Sequence, residues 1–314
     1  MNIEQITDPT GRGIFERMNI MAKNYAIEND KIKIEVTDVG AELASLVLKA
    51  DGTEYLWQRD ATYWASSASN LFPICGRLTE GKYTYQGNTY EMILHGFARH
   101  KEMQVIAQTE NTLVFELKAD AESLAQYPFA FVLQIGYELS GNTVTQTFTV
   151  KNEDDKVMYF AVGGHPGFNV PLTEGETFED YYVEFDCVKP AKKLVMSPTC
   201  YFTGELVDFP MEDGKRIPLK HSLFDNDAIF LADMCKGVTL KSHKCDKEVH
   251  LAYPQMQYLG FWHKPQTEAP YICIEPWYST PAFDCKIDDL ETKNQMIALP
   301  SGETYTNSFT ISIK

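Results

Sequence analysis

The sequence predicts an all-β protein, a large antiparallel β-sandwich with few short helices. Three observations carry that expectation. Apolar and polar residues alternate with period two in run after run. Turn residues separate the runs at near-regular spacing. Helical patterns are few and short, and many strands with little helix make a sandwich the natural way to bury one face of each sheet.

The runs appear in order along the chain. Lys31 to Val36 (KIKIEV) alternates charge with aliphatic side chains. Leu113 to Leu117, Phe131 to Tyr137 and Thr143 to Val150 are rich in β-branched and aromatic residues, which suit a pleated, half-buried surface. Ser308 to Ile313 closes the chain in the same manner. Asp51-Gly52, Gln86 to Asn88, Ser140 to Asn142 and Ser301-Gly302 supply the turns between them. The best helical stretch is Asp120 to Tyr127. The segment from about 171 to 226 reads as loop-rich, with several prolines, and as decoration of the sandwich rather than a second domain. No Pro-rich or Ser-rich linker, low-complexity tract or clean repeat divides the chain. The expected organisation is one domain over 23–314, preceded by an N-terminal extension, residues 1–22, outside the core.

Bulk properties narrow the function. The chain has 314 residues, 44% of them hydrophobic, which supports a real core. No run of about 18 apolar residues suggests a membrane-spanning helix. A net charge of −16 repels phosphate backbones, so nucleic acid is not an expected partner. Seven cysteines without a CxxC pair, behind a polar N-terminal stretch that lacks an apolar h-region, suggest free thiols and a cytoplasmic protein. His243 and Cys245 are the nearest metal-type pair and have no second pair to complete a site, so no metal is expected. There is no P-loop or GxGxxG, hence no nucleotide cofactor. There is no GxSxG or triad-like cysteine for nucleophilic catalysis.

Four segments carry chemistry. In Ala161 to Phe168 (AVGGHPGF), the run Val157 to Val162 delivers His165 to a glycine- and proline-flanked position expected to turn, where an imidazole would be mounted at the end of a rigid element. In Leu94 to Arg99, an extended backbone would put His95, Phe97 and Arg99 on one face. Arg77 ends the apolar run Asn70 to Arg77 (NLFPICGR), so its guanidinium is expected to be buried against a carboxylate or sugar hydroxyls, a structural ion pair being the plainer option. Glu275 lies on the apolar run Tyr271 to Trp277 (YICIEPW), which is expected to stop at Pro276. Desolvation there would raise its pKa into the range of a general base, and Trp277 offers a flat face to the C–H surface of a sugar ring.

Together and in this order, FPICGR (72–77), HGFAR (95–99), GGHPGF (163–168) and IEPW (274–277) resemble the aldose 1-epimerase (galactose mutarotase-like) superfamily, from about Tyr25 to the C-terminus. The resemblance implies a large antiparallel β-supersandwich. It implies that Glu275 takes the proton of the anomeric hydroxyl and that His165 protonates the ring oxygen. Arg77 and His95 would then bind substrate oxygens, and Phe97 and Trp277 would line the pocket. An aspartate between the last two motifs would hold further hydroxyls. Asp227 is the best match, with Asp225 a close rival. The reading HGFAR in place of HGG, and Leu78 to Gly81 where a second arginine often stands, make the chain look like the divergent branch that includes hexose-6-phosphate mutarotases, where Arg99 would meet phosphate. The implied partner is a small-molecule sugar, an aldohexose with or without phosphate, handled by a monomer or homodimer without metal or cofactor. A sugar-binding sensor without turnover is the alternative from another functional class.

Overall fold

The computed structural model describes residues 22–314, so the expected extension, apart from residue 22, lies outside the described residues. Two large antiparallel sheets dominate. The first has nine strands, in the order Arg216–Pro218, Tyr181–Phe185, Gly237–Ser242, Glu248–Ala252, Thr304–Ile313, Thr143–Asn152, Phe131–Ser140, Thr112–Lys118 and Gln104–Gln108. The second has seven, in the order Phe202–Phe209, Ala191–Met196, Ile229–Ala232, Tyr258–Trp262, Tyr271–Trp277, Gly163–Asn169 and Ala68–Leu71. A four-stranded sheet near the N-terminus (Asn24–Glu28, Ile32–Thr37, Leu43–Leu48, Thr53–Glu54) and two strand pairs complete the assembly.

The alternating runs became strands close to where the pattern puts them: Ile32–Thr37, Thr112–Lys118, Phe131–Ser140, Thr143–Asn152 and Thr304–Ile313. Their inward residues, such as Phe115, Ile135, Phe148 and Ile311, belong to one continuous core. The predicted helix is present as Ala121–Gln126. Asp120 caps it, its side chain accepting from the Ser123 N–H while the Ser123 hydroxyl returns to the Asp120 N–H.

Two expectations fail. The 171–226 segment is not decoration. It contributes Tyr181–Phe185 and Arg216–Pro218 to one end of the nine-stranded sheet, and Ala191–Met196 and Phe202–Phe209 to one end of the other. These strands are short or lie at a sheet edge; Phe202–Phe209 is exposed along most of its length, so its apolar alternation is faint. Nor are all cysteines free: Cys187 and Cys235 form a disulfide with Cα atoms 6.0 Å apart, while the other five are free. Their separation of 48 residues concealed a proximity that only the fold creates.

The seven-stranded sheet positions the site. Along Tyr271–Trp277, Ile272 and Ile274 face the core shared with the nine-stranded sheet, while Tyr271, Cys273, Glu275 and Trp277 face the other way. The two sheets approach closely behind His165. A Cβ on Gly164 would lie 2.6 Å from the Phe309 ring of the nine-stranded sheet, which only glycine permits.

Candidate active site

His165 is not at a strand end. It sits in the middle of Gly163–Asn169, a strand hydrogen-bonded on both sides. The glycines that read as turn residues serve close packing instead. On the His165 face, a Cβ at Gly163 would meet the Trp277 ring and the Cys75 sulfur at 3.1 Å, and one at Gly167 would meet the Trp64 ring at 3.0 Å. Glycine two residues either side of His165 therefore lets an indole close in on each flank.

Register brings His165 and Glu275 together. Gly163 pairs with Trp277 and Gly167 with Cys273, so His165 and Glu275, midway along each stretch, lie opposite one another. No ladder pairing is made between those two points; Pro166 and Pro276 have no N–H to donate there. Pro276 does not stop the Glu275 strand, which runs on to Trp277. Ser69 pairs with His165 on one side and Gly260 with Glu275 on the other, giving a row Ser69, His165, Glu275, Gly260 across four strands. The missing side chain at Gly260 admits the Phe230 ring, since a Cβ there would lie 2.9 Å from that ring and 3.3 Å from the Glu275 Cβ.

His165 Nε2 is 3.3 Å from Glu275 Oε2. Both residues are buried, at 8% and 1% exposure. His165 Nδ1, Glu275 Oε1 and Trp277 Nε1 are buried without a hydrogen-bond partner, which is costly unless a ligand supplies one. Burial pushes the Glu275 carboxyl well above the usual carboxylate range, with the negative charge of Asp227 adding to the rise and the nearby Trp277 N–H opposing it. Burial likewise lowers His165 to about 3, with a further contribution from the Arg99 cation. Burial thus works against the charged form of both groups.

His95 stands over this pair, its ring 5.4 Å from that of His165 and 5.2 Å from that of Trp277, edge-on to both. The Gly76 N–H donates to His95 Nδ1 at 3.1 Å, which makes Nε2 the protonated nitrogen of the neutral ring. Burial, and then the charges of His165, Arg99 and Arg77, hold His95 well below its ordinary pKa. His95 is therefore a neutral donor. Its backbone is in the left-handed region (φ 65°), as is that of Gly96 (φ 73°), where a Cβ would strike the Phe72 carbonyl.

That double left-handed turn corrects the expectation that His95, Phe97 and Arg99 share one face. The chain turns at 95–96 and passes into a short 3-10 turn, Ala98–His100. Phe97 points into the core, packed against Phe72, Tyr127 and Phe131, and is not a pocket residue. Arg99 is half-buried, near enough for its charge to depress both histidines. Arg77 is not buried either. Its side chain is 40% exposed and reaches Asp227 Oδ2 at 3.7 Å. Asp227, not Asp225, is the aspartate that faces Arg77 and Glu275; Asp225 is exposed. Trp277, at 2% exposure, is wedged between His95 and Phe230 and forms a wall rather than an open platform.

The open aromatic surfaces are ones the motif reading did not find. Trp64 lies over the His165 ring at 4.9 Å and Trp262 meets it edge-on at 5.8 Å, and both are half-buried. A weak signal existed for Trp262, which alternates with Tyr258 and Gly260 on the strand beside Glu275. Trp64 lies in a loop and had none. His165, Cys273 and Glu275 also place ligand-type atoms within 4.8 Å of one another. Burial holds the Cys273 thiol well above its ordinary pKa, as it does the Glu275 carboxyl.

The antiparallel sandwich thus carries a buried imidazole–carboxylate pair ringed by a neutral histidine, two arginines, an aspartate and indoles. Residues 23–312 match the aldose 1-epimerase family, and the chain belongs to that family. It is 33% identical over 299 residues to the protein LacX, chromosomal, of Lactococcus lactis subsp. lactis, covering 91% of this chain and 98% of that one. Among solved structures, a galactose mutarotase related enzyme from Lactobacillus acidophilus superposes with a TM-score of 0.89 at 33% identity, over 93% of this chain and 97% of that one. A galactose mutarotase-like protein from Lactobacillus casei ATCC 334 does so with 0.89 at 32%, over 93% and 100%. The galactose mutarotase-like supersandwich is therefore the fold.

Proposed function

We propose that the chain is an aldose 1-epimerase, an isomerase that interconverts the α and β anomers of a hexose by acid/base ring opening. The contact between His165 and Glu275 carries this reading: two buried titratable groups 3.3 Å apart, with their outer polar atoms unpartnered. Mutarotation needs a base at O1 and an acid at the ring oxygen, acting on one hemiacetal. A pair that holds one proton supplies both. Once the bound sugar's hydrogen bonds have moved the pair's one proton onto His165, Glu275 as carboxylate takes the O1 proton while His165 as imidazolium protonates O5. The C1–O5 bond opens, C1–C2 rotates, and closure on the other face reverses the transfers, leaving the pair with the one proton it began with. Arg77, Asp227 and the Nε2–H of His95 hydrogen-bond the sugar hydroxyls, and Trp64 and Trp262 flank the ring. No step requires a metal or cofactor.

The test is polarimetric. Glu275→Gln and His165→Asn are each expected to lower turnover of a freshly dissolved aldohexose anomer by more than roughly tenfold, a conservative floor under the usual acid/base contribution of about 10²–10⁴-fold. Near wild-type rates in either variant reject the assignment. A phosphorylated hexose is the second reading, favoured by the Arg99 cation close to both histidines. It requires Arg99→Ala to impair phosphosugars selectively.

A further inference from the structure

The proton-transfer chemistry above uses His165 and Glu275 but leaves their neighbour Cys273 without a role. All three are buried, and each offers an atom of the kind that holds a metal ion, within 4.8 Å of the others. Positions 165, 273 and 275 make no metal-binding spacing in the sequence; the register of two strands assembles them. His165 lies across from Glu275, and Gly167 pairs with Cys273, so Cys273 is the diagonal neighbour of His165. Gly167 keeps that diagonal clear, since a Cβ there would lie 3.3 Å from the Cys273 sulfur.

The geometry suits one tetrahedral ion. Zinc bonds of about 2.0–2.2 Å to an imidazole nitrogen and a carboxylate oxygen put those two atoms about 3.3–3.4 Å apart. His165 Nε2 and Glu275 Oε2 are 3.3 Å apart. The Cys273 sulfur needs to close in by only about 1 Å to complete a third bond of about 2.3 Å. Three protein ligands leave the fourth position open. A thiolate and a carboxylate cancel the charge of a divalent ion, so no net charge is buried. A thiolate beside an imidazole selects zinc over magnesium or calcium, which take oxygen ligands. The second oxygen of Glu275 is buried without a hydrogen-bond partner, which marks a carboxyl short of a cation or donor. His165 Nδ1 also lacks a partner. A metal-bound histidine without that outer hydrogen bond loses about 10–100-fold in affinity, so the ion exchanges rather than staying for good.

We propose that His165, Cys273 and Glu275 form a reversible zinc site, and that Zn²⁺ bound there inhibits the protein by occupying both groups that would exchange protons with a sugar. Binding releases the thiol proton, and any proton on the Glu275 carboxyl, to solvent. The inhibition rests on the mutarotase reading. The binding of the ion does not.

Two measurements on the full chain, stripped of metal with a chelator that is then removed, test it. In the first, Co²⁺ serves as a spectroscopic probe. Wild type is expected to show the visible absorption of a tetrahedral ion and a near-ultraviolet thiolate-to-cobalt band, both abolished by added Zn²⁺. The thiolate band should vanish in Cys273→Ala and in Cys273→Ser, which is closer in volume, and persist in Cys245→Ala, which removes the thiol beside His243. No thiolate band in wild type, or a band that survives loss of Cys273, overturns the site. Its presence supports the site even if no sugar is turned over, a result that would sink only the mutarotase reading. In the second, Zn²⁺ is titrated into the polarimetric assay, each protein being compared with its own zinc-free rate. The half-inhibiting Zn²⁺ concentration is expected to rise at least tenfold in Cys273→Ser. An unchanged value, or a wild-type rate that Zn²⁺ does not slow, overturns the inhibition.

Discussion

The strands Thr304–Ile313 and Tyr271–Trp277 have the same backbone geometry and opposite composition. The first, in the nine-stranded sheet, alternates buried and half-exposed residues along most of its length and carries no acid, imidazole or thiol, its one titratable side chain being the Tyr305 phenol packed against the core. The second is buried at every position and carries a carboxylate, a thiol and a proline. Burial on both faces removes the solvent that would keep Glu275 and His165 ordinary acids. The first strand supplies a stable partner for the sandwich, with only the Asn307 amide oxygen buried and unpaired among its side chains, whereas the second, with Gly163–Asn169, puts glycine, proline and the unpaired atoms of an imidazole and a carboxyl inside a central sheet. Such departures cluster where chemistry is done.

The largest effect should fall on the second kind of strand. Glu275→Gln removes the base and leaves shape and volume nearly unchanged. Turnover should drop by about 10²–10⁴-fold, while urea unfolding shows equal or higher stability, because a desolvated acid has been replaced by a neutral amide. If the variant instead loses stability and keeps its activity per folded molecule, the strand is scaffold like the other.

A stability effect of about 2–3 kcal/mol is expected from Gly164→Ala, since the added Cβ would press on the Phe309 ring at 2.6 Å with the backbone held on both sides. A chemical-denaturation midpoint within error of wild type would show that the two sheets can separate there.

Acid should also act through the site. His165 is held at about 3, below its unfolded value near 6.5, because burial disfavours the cation. Between those values the unfolded chain takes up a proton that the folded chain refuses. The stabilising effect is therefore complete above about pH 6.5 and is lost as pH falls toward 3, by about 2 kcal/mol between pH 7 and 5 for this one group. Urea midpoints at the two pH values should differ less in His165→Asn than in wild type. An identical difference would mean that His165 is charged in the folded state.

The sandwich was legible because alternation is a local property, and each of the long strands of the nine-stranded sheet carries it. The motifs at 72–77, 95–99, 163–168 and 274–277 identified residues that converge, since a titratable group in an apolar strand is anomalous wherever it lies. What they could not show was geometry. Phe97 reads as a pocket residue if the chain is extended, and left-handed turns at His95 and Gly96 send it into the core instead. The glycines around His165 read as turns because composition does not distinguish a need for positive φ from a need for space. The pairing of Cys187 with Cys235 and the contact of Trp64 with His165 depend on how distant segments meet, which no local pattern records.

The smallest expected effect separates those two uses of glycine. Gly136 lies in Phe131–Ser140, in the middle of the nine-stranded sheet, with no positive φ. A Cβ there would lie 3.8 Å from a Val114 methyl and 4.0 Å from the Thr147 Cβ, ordinary van der Waals contacts on both sides. Nothing needs to move, and the unfolded chain loses freedom when alanine replaces glycine. Gly136→Ala should therefore stabilise the protein by about 0.5–1 kcal/mol, read as a higher urea midpoint at unchanged slope, with turnover in the proposed mutarotase reaction unaltered. The same substitution at Gly164 should go the other way. If both variants were destabilised alike, the close approach of the two sheets behind His165 would not be what demands glycine there, and the contrast between a strand built for packing and one built around a site would lose its physical basis.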